Sequence, residues 1–124
     1  MLAGMDSLIE NAFDRALEAA VVPERWPIAL EAIAEAAGAG GAVLLSADGR
    51  GGMVATESLA GPIAEFAAAG GDIVNTRLER GLRLIRGGWP GLVADQHVFT
   101  EEEMRADAFQ RLMERHGFRH FAGQ

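Results

Sequence analysis

The chain has 124 residues, a net charge of −7, a hydrophobic fraction of 49% and no cysteine. That length suits one domain with a modest core. The acidic balance argues against a nucleic-acid-binding module, which shows a basic face, and the missing cysteines remove disulfides, thiolate metal sites and cysteine nucleophiles together.

Every basic residue is arginine and there is no lysine or tyrosine, a bias expected of a GC-rich bacterial genome. Asp6, Glu10 and Asp14 interrupt the N-terminal stretch, so it does not read as a signal peptide. The longest apolar run is too short for a bilayer. A cytoplasmic location and no membrane association are expected.

Ser7 and Glu10 have capping-box spacing, and Ile9, Phe13, Ala16, Leu17 and Ala20 follow at helical spacing. A first helix is predicted over 7–20. Pro23 and Pro27 bracket a turn, and proline suits a helix's first turn because its missing N–H was unpaired there anyway. A second helix is predicted over 26–37, with Trp26, Leu30, Ile33, Ala34 and Ala37 on one face and Gly38 as the stop.

"GAVLLS" (41–46) reads as a strand buried on both faces, "ADGRGG" as a turn, and "MVATESL" (53–59) as an antiparallel partner. Gly61-Pro62 is expected to open a third helix, with Ile63, Phe66 and Ala67 inward and a break at Gly70-Gly71. A fourth is predicted over 72–86, with Val74, Leu78, Leu82 and Ile85 inward. "LVAD" (92–95) reads as a short strand. Thr100 and Glu103 form a second capping box, opening one helix to His116 that Gly117 ends, with Met104, Phe109, Leu112 and Met113 apolar. "FRHFAG" (118–123) reads as a last strand, with no later element to pair with it. An unpaired edge is a liability, so a partner chain or further sequence is expected to cover it.

The candidate chemistry is sparse. His116 and His120 have a spacing that can serve zinc, but a glycine separates them and no cysteine or second histidine pair accompanies them; no metal or cofactor is expected. Asp95 and His97 could form an acid/base pair, yet no nucleophile motif stands with them, and no catalytic residue is expected. "GAGGAV" and "GRGGMV" match neither a dinucleotide fingerprint nor a P-loop. Arg77, Arg80, Arg83 and Arg86 recur every third residue and read as a solvated helix face, with a site for an anion or an acidic partner as the alternative. Trp89, Phe109, Met113 and Phe118, with Phe66, are the large apolar residues of the second half. They either fill the core or line a small apolar pocket.

"PERWPIALEAIAEAAGAGGAVLL" (23–45) and "GLVADQHVFTEEEMRADAFQRLMERHGFRHFAG" (91–123) together resemble the N-terminal sensory region of LuxR-type helix-turn-helix bacterial transcriptional regulators. The shared pattern is a P-x-R-W-P corner, a helix, and a strand entered through glycines. A short strand, a glutamate-rich helix start and a helix ending in H-G follow later. The resemblance implies an α/β (α+β), GAF/PAS-like fold, an antiparallel sheet with an N-terminal helix pair and flanking helices. It also implies that residues 1–124 are one sensory or regulatory domain, a fragment of a longer regulator, non-catalytic and working as a homodimer. DNA binding would lie in a domain outside this chain. An unidentified small molecule would bind near Trp89, Phe109, Met113 and Phe118. The alternative is a dimerisation or protein-interaction module without a ligand, for which helix one and the 118–122 edge are the candidate surfaces.

Overall fold

The structure is a computed structural model and describes residues 2–46, 52–70 and 76–123. It is α+β, 67% helical with two small antiparallel ribbons. It divides into two compact units, 1–61 and 62–124. No helix among the described residues is long and apolar enough to cross a membrane.

The first unit opens with α1 (Leu2–Val21), a 3-10 turn (Pro23–Arg25) and α2 (Trp26–Ala37). α1 starts five residues before the expected cap at Ser7. The Pro-Trp-Pro corner works as local fastening. The Trp26 N–H closes the 3-10 turn on the Pro23 carbonyl, and Pro27 takes an early position in α2 where no N–H is missed. Gly38 ends α2 at φ 65°, and the Ala39 N–H reaches back to the Ala34 carbonyl.

The inward face of this helix pair differs from expectation. Ala12 and Ala19 of α1 are buried, as are Ala29, Leu30, Ala32 and Ala34 of α2. Ile9, Phe13 and Leu17 are exposed, and so is Ile33, expected on the same face as Leu30 and Ala34. Small residues let the two backbones approach closely, which leaves the large side chains beside the contact.

β1 (Val43–Leu45) pairs antiparallel with β2 (Met53–Ala55), Val43 opposite Ala55. Leu44 is exposed, so β1 is covered on one face only. β2 is shorter than the predicted 53–59 because α3 (Glu57–Ala68) begins there. The start of α3 has ready partners: the Glu57 N–H donates to the Glu31 carboxylate at 3.1 Å, and the Leu59 N–H to the Thr56 carbonyl. Pro62 therefore lies inside α3 and does not open it; the Ser58 carbonyl loses the helical donor that residue 62 would supply.

Thr56, nearly fully buried, ties this region together. Its Oγ1 accepts the Ala42 N–H at 3.1 Å. Ser58 Oγ donates to the Gly40 carbonyl at 2.7 Å, so its one proton is committed and Thr56 donates to Ser58 over 3.0 Å.

The second unit holds the rest of α3, then α4 (Thr76–Arg86), β3 (Val93–Ala94), α5 (Asp95–Val98), α6 (Glu101–Ala106), α7 (Ala108–Arg115) and β4 (Ala122–Gly123). Val74 and the predicted start of α4 lie outside the described residues. Leu78 and Leu82 are half-buried, while Ile85, expected inward, is exposed. The single helix predicted over 100–116 is two. Asp107 takes extended backbone at ψ 122° and accepts the Gln110 N–H at 2.8 Å, capping a new helix. The Thr100–Glu103 capping box forms as expected, and Gly117 stops α7 at φ 89°. The last strand finds its partner within the chain: β4 pairs antiparallel with β3, Val93 opposite Gly123. The strands thus form two separate ribbons.

Candidate functional site

The second unit's core is built on α7. Phe109, Leu112 and Met113 are buried with Ile63, Val93 and Phe99. The Phe109 ring meets Phe66 edge-on at 5.1 Å and Phe121 at 5.7 Å. Of the four residues expected near a pocket, Phe109 and Met113 are therefore core filling, with Met113 only 1% exposed. Phe118 is half-buried and its N–H caps the Met113 carbonyl. Trp89 is exposed and lines a groove that none of the other three reaches.

Beside this core sits a buried polar hub. Arg77, on the first turn of α4, donates from Nε to Asp95 Oδ1 at 2.7 Å and from Nη2 to Gln110 Oε1 at 3.0 Å. Its guanidinium lies 4.9, 5.5 and 5.2 Å from the ring centres of Phe99, Phe109 and Phe121. Nη1 is 3.7 Å from the Asp107 carboxylate, too far for a hydrogen bond. The other Asp95 oxygen accepts the Phe121 N–H, and the Gln110 amide donates to the Arg119 carbonyl. One cation thus fastens α4, α5, α7 and the approach to β4.

Asp95 and His97 do not form the acid/base pair considered from sequence. Arg77 and the Phe121 N–H hold Asp95, while His97 Nδ1 accepts the Ala94 N–H at 2.9 Å. His116 Nε2 lies 2.7 Å from Glu65 Oε2 and joins α7 to the end of α3. Among the described residues no cluster of three or more histidine, aspartate or glutamate groups could hold a metal.

The arginine row of α4 is divided. Arg80 donates to the Val98 carbonyl at 2.8 Å, pairs with Glu103 at 2.7 Å and lies over the Phe99 ring at 4.8 Å. Arg83 and Arg86 point to solvent. The solvated-face reading therefore holds for the second half of the row only. Nothing in the three-residue spacing separates Arg77 and Arg80 from Arg83 and Arg86, because the acidic partners and the phenylalanine rings lie far away in sequence.

An open groove of about 520 Å³ runs between the end of α4 and α5. Arg80, Arg83, Leu84, Trp89, His97 and Val98 form its walls. The Trp89 indole leans on the His97 ring, centres 4.7 Å apart, and its Nε1–H donates to the Leu92 carbonyl. Because His97 Nδ1 accepts a backbone N–H, a neutral His97 carries its proton on Nε2. The groove thus combines an aromatic face, two guanidinium groups and an imidazole in an otherwise acidic chain, a chemistry suited to a flat, anionic small molecule. The sequence marked Trp89; Arg80, Arg83 and His97 were legible only as a helix stripe and a strand end. No family model matches the chain, and no curated protein or solved structure matches it either.

Proposed function

We propose that this chain is a non-catalytic regulatory domain that senses a small anionic ligand in the α4–α5 groove. The observation that carries the reading is the Arg80–Arg83–Trp89–His97 grouping, in which two cations and a proton donor border an indole face. Arg80 is already fixed by Glu103 and Val98, so it orients the wall, while Arg83 is exposed and available. Occupation of the groove would bias the packing of α4 against α5, and a bias between two arrangements is what a sensor transmits.

In the same proposal the domain belongs to a LuxR-type transcriptional regulator, with its helix-turn-helix outside residues 1–124 and a cytoplasmic setting. The α+β make-up, with antiparallel pairing in each ribbon, supports a GAF/PAS-like reading within this proposal. The alternative, an assembly module without a ligand, draws its support from the exposed face of α1.

The test uses Trp89 emission in a Trp26→Phe background, titrated with a panel of small aromatic carboxylates and phosphates. Binding of at least one compound is expected, weakened about tenfold or more by Arg83→Ala, the scale of one lost charged contact. No binder in the panel, or binders indifferent to Arg83→Ala, overturns the groove as the sensing site.

A further inference from the structure

The walls of the α4–α5 groove differ in the hydrogen-bonding capacity they have left. Arg80 is committed to the Val98 carbonyl and to Glu103. The Trp89 indole N–H is held by the Leu92 carbonyl, so this residue offers its ring face alone. The carbonyls of Arg83, Leu84 and Val98 already accept from Gly87, Trp89 and Arg80. Two groups remain. The exposed Arg83 guanidinium has no hydrogen bond or ion pair among the described residues, and His97 keeps the edge of its ring that Ala94 does not occupy.

The fold decides what that edge can do. The Ala94 N–H bond at 2.9 Å needs a lone pair on Nδ1, so the neutral ring carries its proton on Nε2. Nε2 then donates and cannot accept. Turning the ring over would put a carbon in place of Nδ1 and leave the Ala94 N–H unpaired, and Trp89 braces the ring at 4.7 Å. A histidine without such a bond exchanges tautomers and serves a donor or an acceptor alike; His97 serves only an acceptor. No acidic side chain lines the groove. Its side chains therefore have nothing to receive an N–H or O–H from a ligand.

We infer that His97 is the specificity-determining residue of the groove, and that the ligand class is an aromatic carboxylate carrying a second, uncharged acceptor such as a carbonyl oxygen. The aromatic ring lies on Trp89, the carboxylate meets Arg83, and the second acceptor takes the His97 Nε2–H. This inference rests on the groove reading above and adds the ligand's second functional group and the residue that reads it. A ligand with a donor in place of that acceptor sets two donors against each other, which is how a site rejects a close relative of its ligand.

The experiment is an NMR-monitored titration of the full chain with benzoate and with isosteric pairs, meta- and para-acetylbenzoate against meta- and para-isopropylbenzoate. In at least one pair the acetyl member should bind about three- to tenfold more tightly, the scale of one net hydrogen bond. His97→Asn keeps an acceptor for the Ala94 N–H but withdraws the Nε2–H, so the acetyl-to-isopropyl ratio should fall to about one. Arg83→Ala should weaken both members and leave the ratio in place. Nitrogen NMR of the imidazole supplies a measurement on the unaltered chain: His97 should be protonated on Nε2 and bare on Nδ1. Equal binding within both pairs overturns the inference, as does a ratio unmoved by His97→Asn or an Nδ1–H tautomer. Each of these leaves an Arg83-dependent groove standing. Failure of every probe to bind, benzoate included, overturns the groove reading and this inference with it.

Discussion

Arg77 and Asp95 meet at 2.7 Å with the arginine side chain 15% exposed and the aspartate 4%. Such a pair is costly to desolvate, and its worth depends on the further bonds around it. Here they are present on both sides: Gln110 takes a second guanidinium nitrogen, the Phe121 N–H takes the second carboxylate oxygen, and three phenylalanine rings surround the cation. Asp95→Ala leaves the guanidinium without its carboxylate and should destabilise the second unit by about 3–5 kcal/mol. Arg77→Lys should recover little, because an ammonium cannot reproduce the fork to Asp95 and Gln110. Urea unfolding followed by Trp89 emission in a Trp26→Phe background reads the effect. A loss below ~1 kcal/mol for Asp95→Ala would show the hub to be dispensable.

Gly41 occupies a position where a side chain has no room. A Cβ there would stand 2.6 Å from Ser58 Oγ, 2.7 Å from Thr56 Oγ1 and 2.8 Å from Leu59 Cγ. The two hydroxyls are committed to Ala42 and Gly40, so neither can turn away without leaving a backbone group unpaired. Gly41→Ala should cost about 1–3 kcal/mol, the range for overpacking a fitted site. Gly38→Ala is strained for a different reason, its left-handed φ of 65°, in open space. Thermal unfolding of the two variants, with Ser58→Ala added to Gly41→Ala, separates the mechanisms: loss of Ser58 Oγ, the atom nearest the added Cβ, should relieve part of the Gly41 clash and none of the Gly38 strain.

Local signals carried most of the helical fold. The Pro-Trp-Pro corner, Gly38, the Thr100–Glu103 box and Gly117 all act where their chemistry places them, because each works through its own backbone neighbours. What stayed hidden depends on distant partners. Asp107 splits a continuous apolar periodicity, and only the bond it accepts from Gln110 reveals it as a cap. The inward side of α1 is not legible in the sequence, because Ile9, Phe13 and Leu17 outweigh alanine on any hydrophobicity count, whereas close packing on α2 favours the smaller Ala12 and Ala19. Arg77 sits in a regular arginine row, and nothing in that row tells which member meets Asp95, 18 residues away.

Asp107 also offers a test of α7 as an independent helix. Its carboxylate caps Gln110, and Gln110 in turn bonds Arg77 and Arg119. Asp107→Ala should cost about 1 kcal/mol, as for other lost N-caps, whereas Asp107→Asn or Asp107→Ser should restore most of it. Equal losses for Ala, Asn and Ser would assign the effect to the charge facing Arg77 Nη1 and not to the cap.

Glu103 links the capping box to the groove and gives it a pH dependence. The Thr100 N–H bonded to its carboxylate, followed by the Arg80 guanidinium, holds its pKa below the ordinary glutamate value. The folded state therefore binds this proton less readily than the unfolded chain does. Its contribution to stability is complete above the unfolded value, about 4.3, and is lost as pH falls through the lower folded value. Protonation also removes the charge that holds Arg80 against the groove wall. Glu103→Gln keeps an acceptor for the Thr100 N–H, as capping boxes allow, but cannot pair with Arg80. The variant should fold normally at neutral pH, show a flatter acid limb in its stability profile, and bind an anionic ligand more tightly, because the carboxylate that offsets Arg80 is gone while Val98 and Phe99 still hold the guanidinium. Carboxyl NMR titration of Glu103 checks the first link directly: a midpoint at or above that of an unstructured glutamate would break the chain from cap to groove.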